Sequence, residues 1–258
     1  MTFIQMALEK MLNNQIDRNK LFEIEGINRI LVKDSVCFQL DKSFAEKYPG
    51  SGGSASKAAI RIQFEYDLLN GNINDLSLNP YTRQDATDSS ETIDLTQEGD
   101  LILRDLAYMS LKVLQKIKGL FLCRLKLQLS AYELNEETGE YIPIDFISIT
   151  NELKAKQINK VEKVVYLGKE KLKVRLFIYL LPYEEYARRI RKATKKNASK
   201  TKSKTLSKEY KSRAALNLFI TNSADSIITL DNAWKIYKLR WQIELLFKIW
   251  KSICKIVK

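Results

Sequence analysis

One stretch near the end of the chain groups residue types that could bind a phosphate around a metal ion. At about 3.6 residues per turn, its polar side chains fall on one helical face: Tyr237, Arg240, Glu244, Lys248 and Lys251. Apolar residues fall on the opposite side: Leu239, Ile243, Leu246 and Trp250. A single carboxylate among cations and a tyrosine indicates a phosphate site built on a metal ligand. An amphipathic helix with a solvated charged face gives the same pattern, so the helix alone leaves both interpretations open.

Two aspartates follow apolar segments that are typical of strands. The first segment begins at Arg29 and ends on Asp34, and the second begins at Asp100 and delivers Asp105. A strand-end aspartate usually caps a turn, so neither residue indicates a site by itself. Together with Glu244, the two aspartates would form an oxygen-only site for two divalent ions. Magnesium is the expected ion, with manganese as a substitute, and such a metal pair promotes in-line displacement at phosphorus.

The chain has no histidine, which removes several kinds of catalytic site. Serine or cysteine nucleophiles activated by histidine are excluded, as are most zinc sites. The cysteines are far apart and lack metal-ligand spacing: Cys37, Cys123 and Cys254. We expect reduced thiols and no disulfide framework. Hydrolytic or transfer chemistry must therefore run through carboxylates, lysine, tyrosine or hard metal ions.

The charge balance favours a polyanionic partner. Lys and Arg outnumber Asp and Glu by 43 to 31 in 258 residues, a net charge of +12, which indicates nucleic acid first and an anionic membrane second. Basic residues concentrate between Tyr183 and Lys211, and include Arg188, Arg189, Lys195, Lys196, Lys202 and Lys204. A solvated charge run is the alternative, but acids are almost lacking there, which favours contact with a DNA backbone. No apolar run reaches the ~18 residues of a membrane span, and we expect a soluble protein that is not exported.

The order of predicted elements matches a ribonuclease-H-like α/β fold, a mixed sheet flanked by helices. Before the second aspartate these elements are a helical lead (Met1 to about Asn28), the strand of Asp34, a hairpin of strands (Ala58 to Leu68 and Leu76 to Leu78) and a short acidic helix (between Arg83 and Asp100). After Asp105, Ser110 is expected to cap a helix that runs to Lys118. The first and fourth strands are neighbours in such a sheet, so Asp34 and Asp105 would meet.

The strand from Ala58 to Leu68 alternates in polarity. Ile60, Ile62, Phe64 and Tyr66 alternate with Ala59, Arg61, Gln63 and Glu65. This pattern predicts one face in the core and one partly polar face.

The chain divides into four predicted parts. Residues 1–120 form the first part of the catalytic core, and residues 121–181 form an all-β insertion between the fourth and fifth core strands, with one strand at Ile142 to Ile149. Residues 182–214 form a basic helix and linker. Residues 215–258 hold the fifth core strand, Ala215 to Thr221, and the polar-faced helix, which begins near Asp231.

The spacing Tyr-x2-Arg-x3-Glu-x6-Lys from Tyr237 to Lys251, with Trp241 directly after the arginine, resembles the Y-R-E-K signature of DDE (Asp-Asp-Glu) insertion-sequence transposases of the IS-four-like class. Further similar blocks follow one another in order: Leu31-Val-Lys-Asp34-Ser, Gly52-Gly-Ser-Ala-Ser, Ile62-Gln-Phe-Glu-Tyr-Asp-Leu, Leu101-Ile-Leu-Arg-Asp105-Leu-Ala-Tyr and Phe219-Ile-Thr-Asn222. The resemblance implies that Asp34, Asp105 and Glu244 are the catalytic, metal-binding triad. It also implies that Tyr237, Arg240 and Lys251 contact phosphates and terminal nucleotides of the transposon end.

The same resemblance implies a partner and a setting. The partner is double-stranded DNA, both at transposon ends and at the target. A homodimer would bind this DNA if the full-length chain is present. No membrane partner is expected. The insertion would help to hold a DNA hairpin and a displaced base. We expect a cytoplasmic, nucleoid-associated bacterial protein.

Departures from the family pattern leave alternatives open. Ala107 stands where the family commonly has glycine, and a positive φ there would be strained. Trp241 and Trp250 are expected mainly in the core, so a stacking residue in the insertion must be Phe or Tyr. The chain also looks like a core that is truncated at both ends and possibly inactive. A ribonuclease-H-like nuclease and a non-catalytic DNA-binding remnant are therefore the alternatives.

Overall fold

The computed structural model describes residues 24–51, 57–126, 129–201 and 205–252. Most of the predicted helical lead, the loop residues 52–56, Lys202, Lys204 and Cys254 lie outside these ranges. The chain forms two compact units. Among the described residues, unit 1 comprises 24–51, 57–123, 223–227 and 234–252, and unit 2 comprises 124–126, 129–201, 205–222 and 228–233.

Unit 1 is built on a mixed sheet in the order β3-β2-β1-β4-β5. Its strands are β1 (Arg29–Leu40), β2 (Ala58–Asp67), β3 (Ile73–Pro80), β4 (Asp100–Arg104) and β5 (Leu120–Arg124). The first three strands pair antiparallel, whereas β4 pairs parallel with both β1 and β5. The turn after β2 contains Gly71 with φ 77°, a conformation that glycine adopts without steric cost. The predicted hairpin is therefore confirmed.

Four helices belong mainly to this unit: α1 (Asp85–Thr92), α2 (Leu111–Lys116), α6 (Ala233–Lys238) and α7 (Trp241–Ser252). Helix α1 is the predicted acidic helix. The side chain of Ser110 accepts a hydrogen bond from the Val113 amide at 3.3 Å, as predicted for the cap of α2.

The predicted polar-faced helix is interrupted. Leu239 and Arg240 lie between α6 and α7, and the amides there donate to carbonyls three residues back, for example Arg240 to Tyr237 at 3.2 Å. Such tighter hydrogen bonds mark a local change in helix geometry, which separates the tyrosine and the glutamate of the signature onto two helices.

Unit 2 contains an antiparallel sheet in the order β10-β9-β8-β6-β7. Its strands are β6 (Ala131–Leu134), β7 (Tyr141–Pro143), β8 (Lys160–Leu167), β9 (Leu172–Leu180) and β10 (Leu216–Thr221), and its helices are α3 (Phe146–Ala155), α4 (Tyr183–Thr201) and α5 (Lys208–Ala214). The Ser212 hydroxyl of α5 donates to the Phe146 carbonyl at 2.8 Å, so α3 and α5 are joined within the unit.

Two details of the predicted insertion are wrong. The strand beside β4 is β5, because the chain after Asp105 is long enough to cross over and return parallel to β4, whereas Ala215 to Thr221 pairs antiparallel with β9. The region is also not all-β, because the predicted strand Ile142 to Ile149 runs into α3. The Asp145 side chain starts this helix by accepting from the amides of Ile147 and Ser148.

Both faces of the unit 1 sheet are buried around the middle of β2. Phe64 and Tyr66 are fully buried, as predicted, and the Phe64 ring centroid lies 5.3 Å from that of Trp250 in α7. The alternate residues Gln63 and Glu65 are only 0% and 1% exposed, so the expected partly polar face is also covered. Within the described ranges, no helix is both long enough and apolar enough to cross a membrane.

Candidate active site

The two aspartates lie side by side at the end of a parallel strand pair. The register of β1 and β4 ends with Lys33 opposite Arg104. The next residues are Asp34, which lies within β1 because the strand continues to Leu40, and Asp105, which follows β4 directly. Both aspartates are half-buried. The predicted neighbourhood of Asp34 and Asp105 thus follows from strand register.

Arg240 links Asp34 to Glu244. Its guanidinium donates from Nη2 to Glu244 Oε1 at 2.6 Å, and its Nη1 lies 3.5 Å from Asp34 Oδ2. Arg240 is only 7% exposed, and it lies in the link between α6 and α7 next to the buried Leu239. The site is therefore formed by β1, the end of β4 and the first turn of α7.

Electrostatic interactions connect the three carboxylates. Burial raises the pKa of Asp34 from the ordinary 3.8 to about 6; the Ser35 amide and Arg240 oppose this shift, whereas Glu244 and Asp105 add to it. Burial alone would lower the pKa of Arg240, but Tyr237, Glu244 and Asp105 outweigh it and leave that pKa raised. Arg240 therefore stays charged between the acids.

The donor chemistry suits a hard divalent ion, but the carboxylates are not assembled as a cluster. Across residues 24–51, 57–126, 129–201 and 205–252, no three acidic or cysteine side chains lie close enough together to hold a metal ion. Glu244 is held by Arg240 instead. Oxygen ligands from three acids fit magnesium or manganese, provided that Arg240 releases Glu244 and Asp34.

The other signature residues differ in burial. Tyr237 is 5% exposed, with its ring centroid 5.8 Å from the Arg240 guanidinium carbon, so it supports the arginine from the buried side. Lys248 and Lys251 are exposed on α7. The structure therefore brings Tyr237, Arg240 and Glu244 together and leaves both lysines facing solvent.

One prediction about the tryptophans near this site is wrong. Trp250 is in the core as expected, but Trp241 is 58% exposed, since it starts α7 on the side away from Ile243. Ala107, where a positive φ would be strained, does not have one. Among the described residues, the non-glycine positions with positive φ are Gln157 and Lys171.

The basic residues of α4 in unit 2 divide into two groups. Arg188, Lys195 and Lys196 are exposed and available to a phosphate backbone. Arg189 is half-buried, and it donates to the Leu216 carbonyl at 2.9 Å and to Asn217 Oδ1 at 2.9 Å. Burial lowers the pKa of Arg189, with Arg124 adding to the effect. Arg189 therefore anchors α4 to β10, and its role in DNA binding stays a prediction.

The burial of the polar face of the unit 1 sheet was not expected from the sequence. Each candidate aspartate is preceded by a cation, Lys33 before Asp34 and Arg104 before Asp105. Both cations are fully buried. This repeated cation–aspartate pair is the pattern in the sequence that could have revealed them.

Comparisons with known proteins identify the family. A family model described as a transposase DDE domain matches residues 25–258. The chain is 36% identical over 246 residues to the transposase for insertion sequence element IS231B of Bacillus thuringiensis subsp. berliner, covering 88% of this chain and 50% of that protein. It is 33% identical over 273 residues to the IS231E transposase of Bacillus thuringiensis subsp. finitimus, covering 98% and 56%.

A relative from another genus matches similarly. The chain is 33% identical over 243 residues to the transposase for IS1151 of Clostridium perfringens, covering 89% of this chain and 51% of the relative. The chain thus spans about half the length of the curated relatives it matches. Because the family model covers nearly the whole chain, the chain belongs to the DDE transposase family.

Proposed function

We propose that this chain is the catalytic core of a DNA transposase with a ribonuclease-H-like fold, in which Asp34, Asp105 and Glu244 act as the DDE triad. One observation carries the proposal. Arg240 pairs with Asp34 of β1 and with Glu244 of α7, Asp105 directly follows the neighbouring strand β4, and both Glu244 and Asp105 raise the pKa of Asp34. Mutually repelling acids at one end of a sheet are typical of a divalent-metal site.

The triad would hold magnesium, or manganese in its place. Such ions activate an attacking oxygen and stabilise the leaving oxygen during displacement at phosphorus. Arg240 forms ion pairs with Asp34 and Glu244, and its single positive charge offsets part of their negative charge. Its buried Nε has no hydrogen-bond partner among the described residues, which suits a phosphate oxygen as a further acceptor.

The remaining basic residues would position DNA. Tyr237 holds Arg240 in place, and Lys248 and Lys251 face solvent on α7, where they can contact phosphates at the transposon end. In unit 2, the exposed Arg188, Lys195 and Lys196 would track the backbone of the duplex. Transposon ends and target DNA are the proposed substrates, and a homodimer on DNA is the proposed assembly.

Metal-dependent cleavage tests the proposed activity directly. The substrate is a linear duplex that carries the terminal repeat of the element, compared with the same duplex with a scrambled repeat. We expect Mg²⁺ or Mn²⁺ to support strand cleavage at the repeat, and Asp34→Asn, Asp105→Asn and Glu244→Gln to abolish it. Asp94→Asn, an exposed acid outside the site, is the matched control and should cleave like the parent. Cleavage without preference for the repeat would favour a ribonuclease-H-like nuclease.

A salt titration tests the DNA-binding role of α4. Lys195→Gln with Lys196→Gln should weaken binding whatever the DNA sequence, and should reduce the log-log salt slope by about 0.9 for each lost contact. Lys154→Gln, an exposed lysine of α3, is the matched control. An unchanged slope in the double variant would mean that these α4 lysines face solvent and do not contact DNA phosphates.

A second candidate function is DNA binding without catalysis. It is favoured by the contact of Arg240 with Glu244 and Asp34, and by the lack of a three-acid cluster among the described residues. DNA binding that is indifferent to metal, with no cleavage in Mg²⁺ or Mn²⁺, would support this second candidate.

A further inference from the structure

Two buried cations lie directly behind the candidate aspartates. Lys33 precedes Asp34 in β1, Arg104 precedes Asp105 at the end of β4, and the two cations are register partners on adjacent parallel strands. Both side chains are 0% exposed. Because neighbouring strand residues point to opposite faces, Lys33 and Arg104 project away from the face that carries Asp34.

Lys33 is fixed from α1 and β3. Its Nζ donates to Asp75 Oδ2 at 2.8 Å and to the Thr92 hydroxyl at 3.0 Å. Asp88 Oδ2 lies 2.6 Å from the same nitrogen as an ion pair without hydrogen-bond geometry. The ammonium group is thus held by two carboxylates and a hydroxyl at one point below the sheet.

Arg104 is fixed from β2 and α1. Its Nη2 and Nε both donate to Glu65 Oε1, at 2.5 and 3.2 Å, and its Nη1 donates to the Ser89 hydroxyl at 2.7 Å. Glu65 is itself held, because its Oε2 accepts from Asn74 Nδ2 at 2.6 Å. Glu65 is also the register partner of Lys33 and interacts electrostatically with both cations, so the two cations share one buried network.

An apolar pair at these positions could fill the space between the sheet and α1 without the cost of removing charges from water. What the ionic contacts add is a defined position for each side chain, and hence for the backbone that continues into the next residue. We propose that Lys33 and Arg104 are positioning residues, which hold Asp34 and Asp105 at the separation that a divalent ion requires. This inference rests on the proposed metal-binding function of the triad.

The opposite end of the same strand pair supplies a matched control. Arg29 and Asp100 are register partners on β1 and β4, joined by two hydrogen bonds of 2.7 Å. This pair is buried on the Asp100 side and lies at the start of both strands, away from Asp34 and Asp105. Loss of either ionic contact should destabilise unit 1, but only loss at Lys33 or Arg104 should change metal affinity.

The test is the affinity of the metal-free chain for Mn²⁺, measured by the electron paramagnetic resonance signal of the free ion. Lys33→Met and Arg104→Met should bind Mn²⁺ about 10–100-fold more weakly than the parent, as for other residues that orient metal ligands. Arg104→Lys, which keeps the charge, should recover part of the loss. Asp100→Asn should bind like the parent. Urea unfolding of each variant identifies the fraction folded under the binding conditions.

If Lys33→Met or Arg104→Met does not fold, Ser89→Ala provides a milder change, since it removes only the hydroxyl that accepts from Arg104 Nη1. A several-fold loss of Mn²⁺ affinity in folded Ser89→Ala would support the proposal. Parent-like affinity in all folded variants, with Glu244→Gln still weakened, would overturn the positioning role alone. A parent that binds no Mn²⁺ would overturn the proposed metal function, and the positioning role with it.

Discussion

The two faces of the unit 1 sheet are buried by opposite means. On one face, Phe64 packs against the rings of Phe247 and Trp250 from α7. On the other face, Lys33 and Arg104 are enclosed under α1 by carboxylates and hydroxyls. Strand alternation determines which residues share a face, but it does not determine whether a polar face is exposed to water.

The two faces also differ in what they contribute, because apolar packing mainly stabilises the fold and the ionic contacts mainly fix the position of the backbone. Apolar burial stabilises a fold in proportion to the buried area and tolerates small shifts of the side chains. In a buried ion pair, the attraction offsets the cost of removing the charges from water only while the geometry is kept. Asp34 lies on the apolar face, opposite Phe64 in the β1–β2 register, and its burial there raises its pKa to about 6. The candidate site therefore combines a carboxylate on the apolar face with a backbone held from the ionic face.

The largest expected effect is the loss of one partner from the ionic face. Arg104→Met leaves Glu65 as a buried charge without its guanidinium and should lower the free energy of unfolding by about 3–5 kcal/mol. Glu65→Leu combined with Arg104→Met removes both charges and should recover most of that loss. Urea unfolding of both variants measures the difference.

Phe64→Ala is the comparison on the apolar face, where a cavity should cost about 3–5 kcal/mol. No second substitution that merely removes a charge should rescue it. If the Glu65/Arg104 double variant were as unstable as Arg104→Met, the ionic face would depend on shape rather than on charge pairing.

A smaller effect is expected from Asp34, with a defined pH dependence. Its pKa of about 6 in the folded chain exceeds the ordinary 3.8, so the folded state binds more protons than the unfolded state between these values. Stability should therefore fall as pH rises from about 4 to 6, and Asp34→Asn should be more stable than the parent above pH 6, by about 3 kcal/mol at most. Metal-free unfolding at pH 4 and pH 7.5 measures this, and Asp94→Asn is the exposed control. A parent stability that rises over this pH range would contradict the assignment.

The smallest expected effect concerns Arg240, which competes with a metal ion for Glu244 and Asp34. Arg240→Gln should tighten Mn²⁺ binding by about fivefold, since each such partly exposed ion pair contributes about 1 kcal/mol at most. The same variant should bind DNA ends more weakly, because it lacks a buried donor to phosphate. Weaker Mn²⁺ binding by Arg240→Gln would show that the arginine supports the metal site instead of competing with it.

Much of the candidate site was predictable because it depends on local pattern. The apolar runs that lead to Asp34 and Asp105 predict strands, and helical spacing places Arg240 and Glu244 one turn apart. The exposure of Trp241 follows from the same spacing, because Trp241 lies four residues after Tyr237 and three before Glu244, on the polar face. The interrupted helix was not predictable from periodicity, since it results from the tighter turn at Leu239 and Arg240. That turn depends on how α6 and α7 each pack.

Other parts of the fold depend on contacts between distant residues. The start of α3 at Asp145 was hidden in a β-like apolar run, although the buried Phe146, Ile149, Thr150 and Leu153 repeat at helical spacing. Arg189 resembled its exposed neighbours in sequence, and only the carbonyls of β10 make it an anchor. The buried network of Lys33 and Arg104 likewise needs α1, which local sequence does not place.

The central claim is that Asp34, Asp105 and Glu244 share a divalent metal. The most direct measurement is the free energy of unfolding at pH 7.5 with and without Mn²⁺, in the parent and in Asp34→Asn, Asp105→Asn and Glu244→Gln. Mn²⁺ at about 100 times its dissociation constant should stabilise the parent by about 2.7 kcal/mol and should stabilise each variant clearly less. Equal stabilisation of the parent and all three variants, or none in any of them, would contradict the account.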